Sequence, residues 1–415
     1  MKKNYFLSSV LCLGLALHCI AQTASWSPVT SGTTNSLLGI SAPSATVCYT
    51  SGGAGTILKS INGGTTWTSQ VSGVSVSLYG IHFTDINTGY AIGDNATALK
   101  TINGGLTWTQ MTVPVTSSIS FRYVYFYDAN TGYITGGPAT GTAPGTILKT
   151  TNAGSTWTSL TTTGSSTNSI YSIYFTSPTD GYATDYSGKI IKTTNGGSSW
   201  SLVPSGTTTN LQTVYFTSVN NGVVTGDNGT IRATSNAGAS WSGVSSGTTT
   251  DYLTGSDFYD ASNGVVVGGN ISANTGVILT TTNGGSSWSS YNPGTSRLFR
   301  VDFVNANLGF AVGLNGTILR YASNVGIAEQ AGTLHTFNAY PNPFSTSSTI
   351  DFGTFQFSKA ATVQLYDVSG KLVRSIVSEQ ESRVTIERSG LAAGTYIYKV
   401  LDGNDYIGSG KLTIE

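Results

Sequence analysis

The octapeptide TTNGGSSW occurs twice, letter for letter, at residues 193–200 and 281–288. Looser copies end at Trp67, Trp108, Trp157 and Trp241, while the seventh tryptophan, Trp26, stands in ASWSPVTSGTT with no copy in front of it. From one tryptophan to the next the interval is 41 to 49 residues. A period of that size means a stacked or circular array whose units bury their apolar faces against one another.

The two ends of the array complement each other. The last GTIL block, GTILRYASN from Gly316, has no tryptophan behind it, and Trp26 has no GTIL block ahead of it. Pairing the strand of Trp26 beside residues 318–321 would complete the last unit and seal its free edge. Seven units of four strands then predict an all-β, seven-bladed β-propeller; an open solenoid would leave the matching ends unexplained. Within one unit, residues 78–83 read as the inner strand, 89–93 as the second, 98–102 as the third and 107–111 as the outer one. The Asn-Gly turn before each of Trp67, Trp108, Trp157, Trp200, Trp241 and Trp288 suits a tight hairpin, and these tryptophans with Trp26 are the structural mark of the repeat.

Only 9% of residues are charged, against about 25% in ordinary soluble domains, and there are 52 glycines. Aromatic residues at 11% and alternating apolar runs separate the chain from disordered sequences. A net charge of zero with no basic stretch excludes nucleic acid as a partner. Residues 1–21, with Lys2, Lys3, an apolar run and small residues before Gln22, have the layout of a signal peptide. Its removal leaves Cys48 as the one cysteine, expected to be a buried strand residue, with no disulfide and no cysteine-based zinc site. No transmembrane segment is expected in the mature chain, and no cofactor or metal.

Spacing separates two faces. The interval from the inner-strand anchor to the second strand is seven residues in every unit, and from the third strand to Trp it is nine in all six complete blocks. On the opposite face the loops at 136–145 and 268–276 are lengthened, so a ligand is expected there. Four residues before each anchor lie Leu38, Tyr79, Arg122, Tyr171, Gln212, Thr254 and Phe299. With Tyr252, Arg297 and Arg300, the set Tyr79, Arg122, Tyr171 and Phe299 forms the candidate ligand site for a glycan or a protein. The competing reading is a solvated rim. Asp257 and Asp302, next to the anchor on consecutive inner strands, are the catalytic pair of an alternative, a glycoside hydrolase acting on a polysaccharide. His82 and three tyrosines hold the same slot elsewhere, which favours polar packing around a channel. Asp94 and Asp227 read as turn formers.

The motif resembles the Asp-box, or BNR, repeat of sialidases and related propellers, S-x-D-x-G-x-T-W, with Asn62, Asn103, Asn152, Asn195, Asn236 and Asn283 in the acidic position. The wider repeat, with N-T-G-Y and G-D-N elements, is most similar to photosystem II stability and assembly factor-like propellers. Sialidase chemistry implies an arginine triad and a Tyr–Glu pair, but the first glutamate is Glu329. The resemblance therefore implies a propeller without sialidase activity.

Beyond residue 323 the composition changes. A linker is expected at 324–337, after a propeller at 22–323, and then a small Ig-like β-sandwich at 338–415. YPNPF, LYDVSGKLV and GLAAGTYIYKV in that tail resemble the type A sorting domain of the type IX secretion system of Bacteroidetes. The resemblance implies the type IX translocon as a partner and export through the periplasm to the cell surface or the medium. The chain is thus expected to be a secreted or cell-surface, non-catalytic propeller that binds a glycan or protein ligand.

Overall fold

A computed structural model describes residues 25–138, 144–162, 169–322, 335, 337–357, 359–368, 371–378, 382–403 and 405–415. The segment expected to be a signal peptide, most of the expected linker and the tip of the 136–145 loop lie outside these residues. The chain divides after Asn324 into two compact units.

Seven four-stranded antiparallel sheets make up the first unit. They are numbered here by their first strands: Leu37–Ser41, Leu78–Phe83, Ile119–Phe126, Ile170–Phe175, Leu211–Phe216, Asp251–Phe258 and Leu298–Asn305. Each first strand packs beside that of the next sheet, and the seventh packs beside the first. In the second sheet the following strands are Gly89–Gly93, Ala98–Thr101 and Thr109–Gln110. The outer strand is shorter than the sequence predicts, because Trp108 serves packing and stays outside the ladder. Trp26 takes the place foreseen for it: Ser25–Val29 pairs antiparallel with Ile318–Ala322, with Trp26 opposite Tyr321.

The repeated letters build the junctions between sheets. The second-strand tyrosine of one sheet stacks on the anchor phenylalanine of the next, at 3.6 Å for Tyr49 on Phe83 and 4.0 Å for Tyr90 on Phe126. That phenylalanine meets the tryptophan of its own sheet edge to face, at 5.9 Å for Phe83 and Trp108. Edge-to-face geometry sets the positive ring edge against the negative ring face. Where the first anchor is Ala42, Phe310 of the seventh sheet reaches Trp67 instead, at 6.1 Å. Gly89 is required beneath its anchor, since a Cβ there would lie 2.4 Å from the Phe83 ring.

TTNGGSSW closes on itself. The Thr193 hydroxyl donates to Asn195 Oδ1 at 2.9 Å and accepts from the Gly197 amide at 3.0 Å. Asn195 Oδ1 also accepts from the Ser199 amide, and Asn195 Nδ2 donates to Ser199 Oγ at 2.8 Å. Asparagine supplies donor and acceptor together, whereas an ionised aspartate is acceptor only. Gly196 and Gly197 take φ of +67° and +91°, the left-handed region that glycine enters without steric cost. Cys48 is a buried strand residue, as expected, and burial pushes its thiol up to about 12.

In the second unit, strands Asn338–Tyr340, Ser347–Asp351 and Arg383–Glu387 form one sheet. Leu372–Ser378, Ala361–Asp367, Gly394–Asp402 and Asp405–Ile414 form another. The sheets share a core that includes Ile350, Ile386, Val363, Leu365 and Val400. His335 already belongs to this unit, its amide donating to the Ile407 carbonyl at 2.9 Å, and Phe337 is buried in the same core.

Candidate functional site

The hairpin end of the ring uses its cations in construction. Lys59 donates to the Gly104 carbonyl of the next sheet at 2.7 Å, and the Tyr49 hydroxyl donates to the same oxygen at 3.1 Å. Lys100 and Tyr90 do the same at Ala153, Lys149 and Tyr133 at Gly196, and Lys192 and Tyr182 at Ala237. Arg320 completes the set by donating to Gly63 at 2.7 Å. Each donor bridges one sheet to the Asn-Gly hairpin of the next, so the repeat motif is also the receiving half of a clasp. The recurrence of Lys in a single third-strand slot was the sequence signal for this role, and spacing alone did not reveal it.

At the opposite end, Arg122 is held differently. Its guanidinium lies 4.5 Å from the Tyr79 ring and 5.8 Å from that of Tyr171, which itself stacks on Tyr186 at 5.7 Å. Among the described residues it has no hydrogen-bond acceptor, and its Nε is buried without a partner. The Tyr79 hydroxyl donates to Asp94, which also accepts from Ser120 at 2.6 Å. Asp227 ties the fifth sheet in the same way through Asn210 and Gln212. Both aspartates thus fasten turns to neighbouring strands.

The remaining candidates gather around the sixth and seventh sheets. Arg297 lies over the Phe299 ring at 5.1 Å, its Nε buried with no partner among the described residues, and burial lowers its pKa against a smaller opposing effect of Tyr252. Arg300 donates to the carbonyls of Thr254 and Phe299, and its guanidinium sits 5.7 Å from the Tyr123 ring across the channel. Burial, with a smaller contribution from the Arg122 charge, lowers the pKa of Arg300. Of the two lengthened loops, the one at 268–276 is a continued ladder, pairing Gly268 with Val277 and Asn270 with Thr275. The other is described only as far as Pro138 and again from Pro144.

Below the mouth, a cavity of about 350 Å³ is lined by the inner strands, including Arg300, Asp257 and Asp302. Both carboxylates serve as clips between sheets. Asp257 accepts from the Phe303 amide at 2.7 Å and Asp302 from the Ala42 amide at 2.6 Å. Ser41 holds the same slot and accepts from Phe83, while Tyr125 and Tyr215 donate to the carbonyls of Phe175 and Phe258. In all five cases the partner is the anchor residue of the next sheet. Sequence reasoning placed these residues in one slot but missed the bond, which spans up to 260 residues. Burial raises the Asp302 carboxyl to about 7, against the pull of the Ala42 amide. Asp257 is raised by burial and then by the charge of Asp302. His82, stacked on Phe126 at 5.8 Å, is lowered to about 4 by burial.

Residues 70–201 and 165–291 match the family model of the photosynthesis system II assembly factor YCF48. Residues 338–415 match that of the secretion system C-terminal sorting domain. Three of the similar solved structures follow. YCF48 bound to D1 peptide is 20% identical with a TM-score of 0.59, covering 75% of this chain and 100% of its own. YCF48 from Cyanidioschyzon merolae is 19% identical with a TM-score of 0.58, covering 72% and 99%. The WD40 β-propeller domain of Doa1 is 9% identical with a TM-score of 0.57, covering 73% and 98%. At these identities the likeness shows the fold alone, a β-propeller. No curated protein matches the chain. The sorting domain implies engagement with the secretion system and export to the outer surface or the medium. No helix among the described residues is long and apolar enough to cross a membrane.

Proposed function

The chain belongs to the photosynthesis system II assembly factor YCF48 family, and from that premise we propose that its propeller is a non-catalytic binding module for a protein ligand, exported by its C-terminal sorting domain. In this reading the propeller has seven blades closed by the Trp26 strand and spans 22–323. A signal peptide at 1–21 precedes it, and a linker and an Ig-like sorting sandwich at 338–415 follow it. The ligand meets the lengthened-loop face, at the mouth formed by Tyr79, Arg122, Tyr171, Tyr252, Arg297, Phe299 and Arg300.

One observation carries the reading: Arg122 is fixed between two tyrosine rings with no acceptor for its guanidinium among the described residues. A planar fork held by aromatic faces is prepared for an anionic group such as a carboxylate, which it can bind through two parallel hydrogen bonds. The similar structure of YCF48 bound to D1 peptide supports a peptide over a glycan for this chain. The hydrolase alternative is disfavoured because Asp257 and Asp302 each commit a carboxylate oxygen to a backbone amide of the next sheet.

The test is a peptide array carrying free C-terminal carboxylates and their amidated counterparts, probed with the full chain and with Arg122→Ala. The expected result is capture that needs the carboxylate and falls at least tenfold in the variant. Capture indifferent to both changes overturns the assignment.

A further inference from the structure

The clasp described above is missing at two junctions. The fifth sheet has Val223 and Ala233, and the sixth Val265 and Thr280, where the first four sheets have tyrosine and lysine. At the second of these junctions the seventh sheet also has no hairpin of the repeat to receive them, because its outer strand comes from the other end of the array. Elsewhere that space is filled by the hairpin glycines. Gly238 lies against Tyr182 and Gly285 against Val223, so closely that a Cβ on either would come within 2.6 Å. At the seam the space is open, a cavity of about 410 Å³.

Its walls are distinctive. Trp26, Tyr259, Tyr291 and Tyr321 supply aromatic surface, Val265 and Thr280 form the side where the clasp is missing, and no charged side chain lines it among the described residues. Phe303 holds the Trp26 ring from one side at 5.8 Å and Tyr321 from another at 5.2 Å, so the indole is fixed before any ligand arrives. Its Nε1 is buried with no acceptor among the described residues, a state it shares with Trp108, Trp157 and Trp241. In the first and sixth sheets the tryptophan donates to a hairpin glycine, as Trp67 does to Gly64 at 3.2 Å, but Trp26 has no such glycine. The hydroxyls of Tyr259 and Tyr321 face each other closely, and Tyr291 is 42% exposed at the edge.

We propose that this seam is a second ligand site, independent of the mouth, which takes the end of a neutral saccharide. Aromatic faces bind the C–H face of a pyranose, and phenol groups offer hydrogen bonds to its hydroxyls. The absence of charge disfavours an ionic ligand, since a buried charge needs a partner. The volume falls within the usual range of small-molecule sites.

The experiment is titration calorimetry of the full chain with cellobiose, maltose, laminaribiose and N,N′-diacetylchitobiose. Two variants accompany it. Tyr291→Ser removes an edge ring, and V265Y/T280K installs the side chains of four other junctions and fills the cavity. The expected result is binding of at least one disaccharide, at least tenfold weaker in Tyr291→Ser and absent in the refilled variant, whose melting temperature checks that it folds. No binding of any of the four, or binding that survives refilling, overturns the proposal. Capture of an apolar peptide in place of the sugars, lost on refilling, also overturns the saccharide assignment.

Discussion

The hairpin end of the ring and the Arg122 corner of its mouth use positive charge in opposite ways. At the hairpin end Lys59, Lys100, Lys149, Lys192 and Arg320 each donate to a carbonyl of a neighbouring sheet. At the mouth Arg122 touches rings and finds no acceptor among the described residues. A cation whose hydrogen bonds are made within the fold contributes to assembly, whereas one held rigid and unsatisfied has its capacity left for something outside. Repetition of the motif therefore marks the end that builds, and departure from repetition marks where binding is to be sought. The seam beside Trp26 is the instructive exception, because there the building end itself lacks a copy.

The largest expected effect lies in the aromatic core common to both ends. Trp200→Ala removes the partner of Phe175 and should cost about 3–5 kcal/mol in denaturant unfolding. A cost below 1 kcal/mol would show that the tryptophan is not a core element of its sheet. Next come the channel clips. Asp302→Ala leaves the Ala42 amide without its acceptor and should cost about 1–3 kcal/mol, while Asp302→Asn, which keeps an acceptor oxygen, should cost much less. Equal losses in the two variants would remove the clip from the explanation.

The same carboxyl predicts a pH dependence. Its pKa in the fold, about 7, lies above the ordinary value of 3.8, so the folded state favours the protonated form. The stabilisation is full below the ordinary value and is lost as pH rises through about 7. Melting temperatures should fall between pH 4 and pH 7, and less steeply in Asp302→Asn. A slope unchanged by that substitution would assign the titration elsewhere. The smallest effect belongs to the clasp: Tyr90→Phe loses one hydrogen bond and should cost about 1 kcal/mol, with no change in ligand capture at the mouth.

Much of the fold was legible because the repeat fixes both spacing and strand pattern. The strands at 78–83 and 89–93 are as the alternation predicts, and the fit between Trp26 and residues 318–321 follows from the incomplete blocks at the two ends. What periodicity could not supply was partnership between sheets. The acceptor role of Asp257 and Asp302 depends on amides in a neighbouring sheet, and a variable slot conceals a constant task that Ser, Tyr or Asp can each perform by a different bond. The mouth was legible as a set of residue types. The sandwiching of Arg122 between residues 43 and 49 positions away in the chain required the ring.

The most direct measurement compares carboxylate-peptide capture by Arg122→Ala and by Lys100→Met, two variants that each remove one cation from neighbouring sheets. The account predicts that the first loses capture at least tenfold with its melting temperature nearly unchanged, while the second keeps capture and melts lower. Loss of capture in Lys100→Met with retention in Arg122→Ala would contradict it.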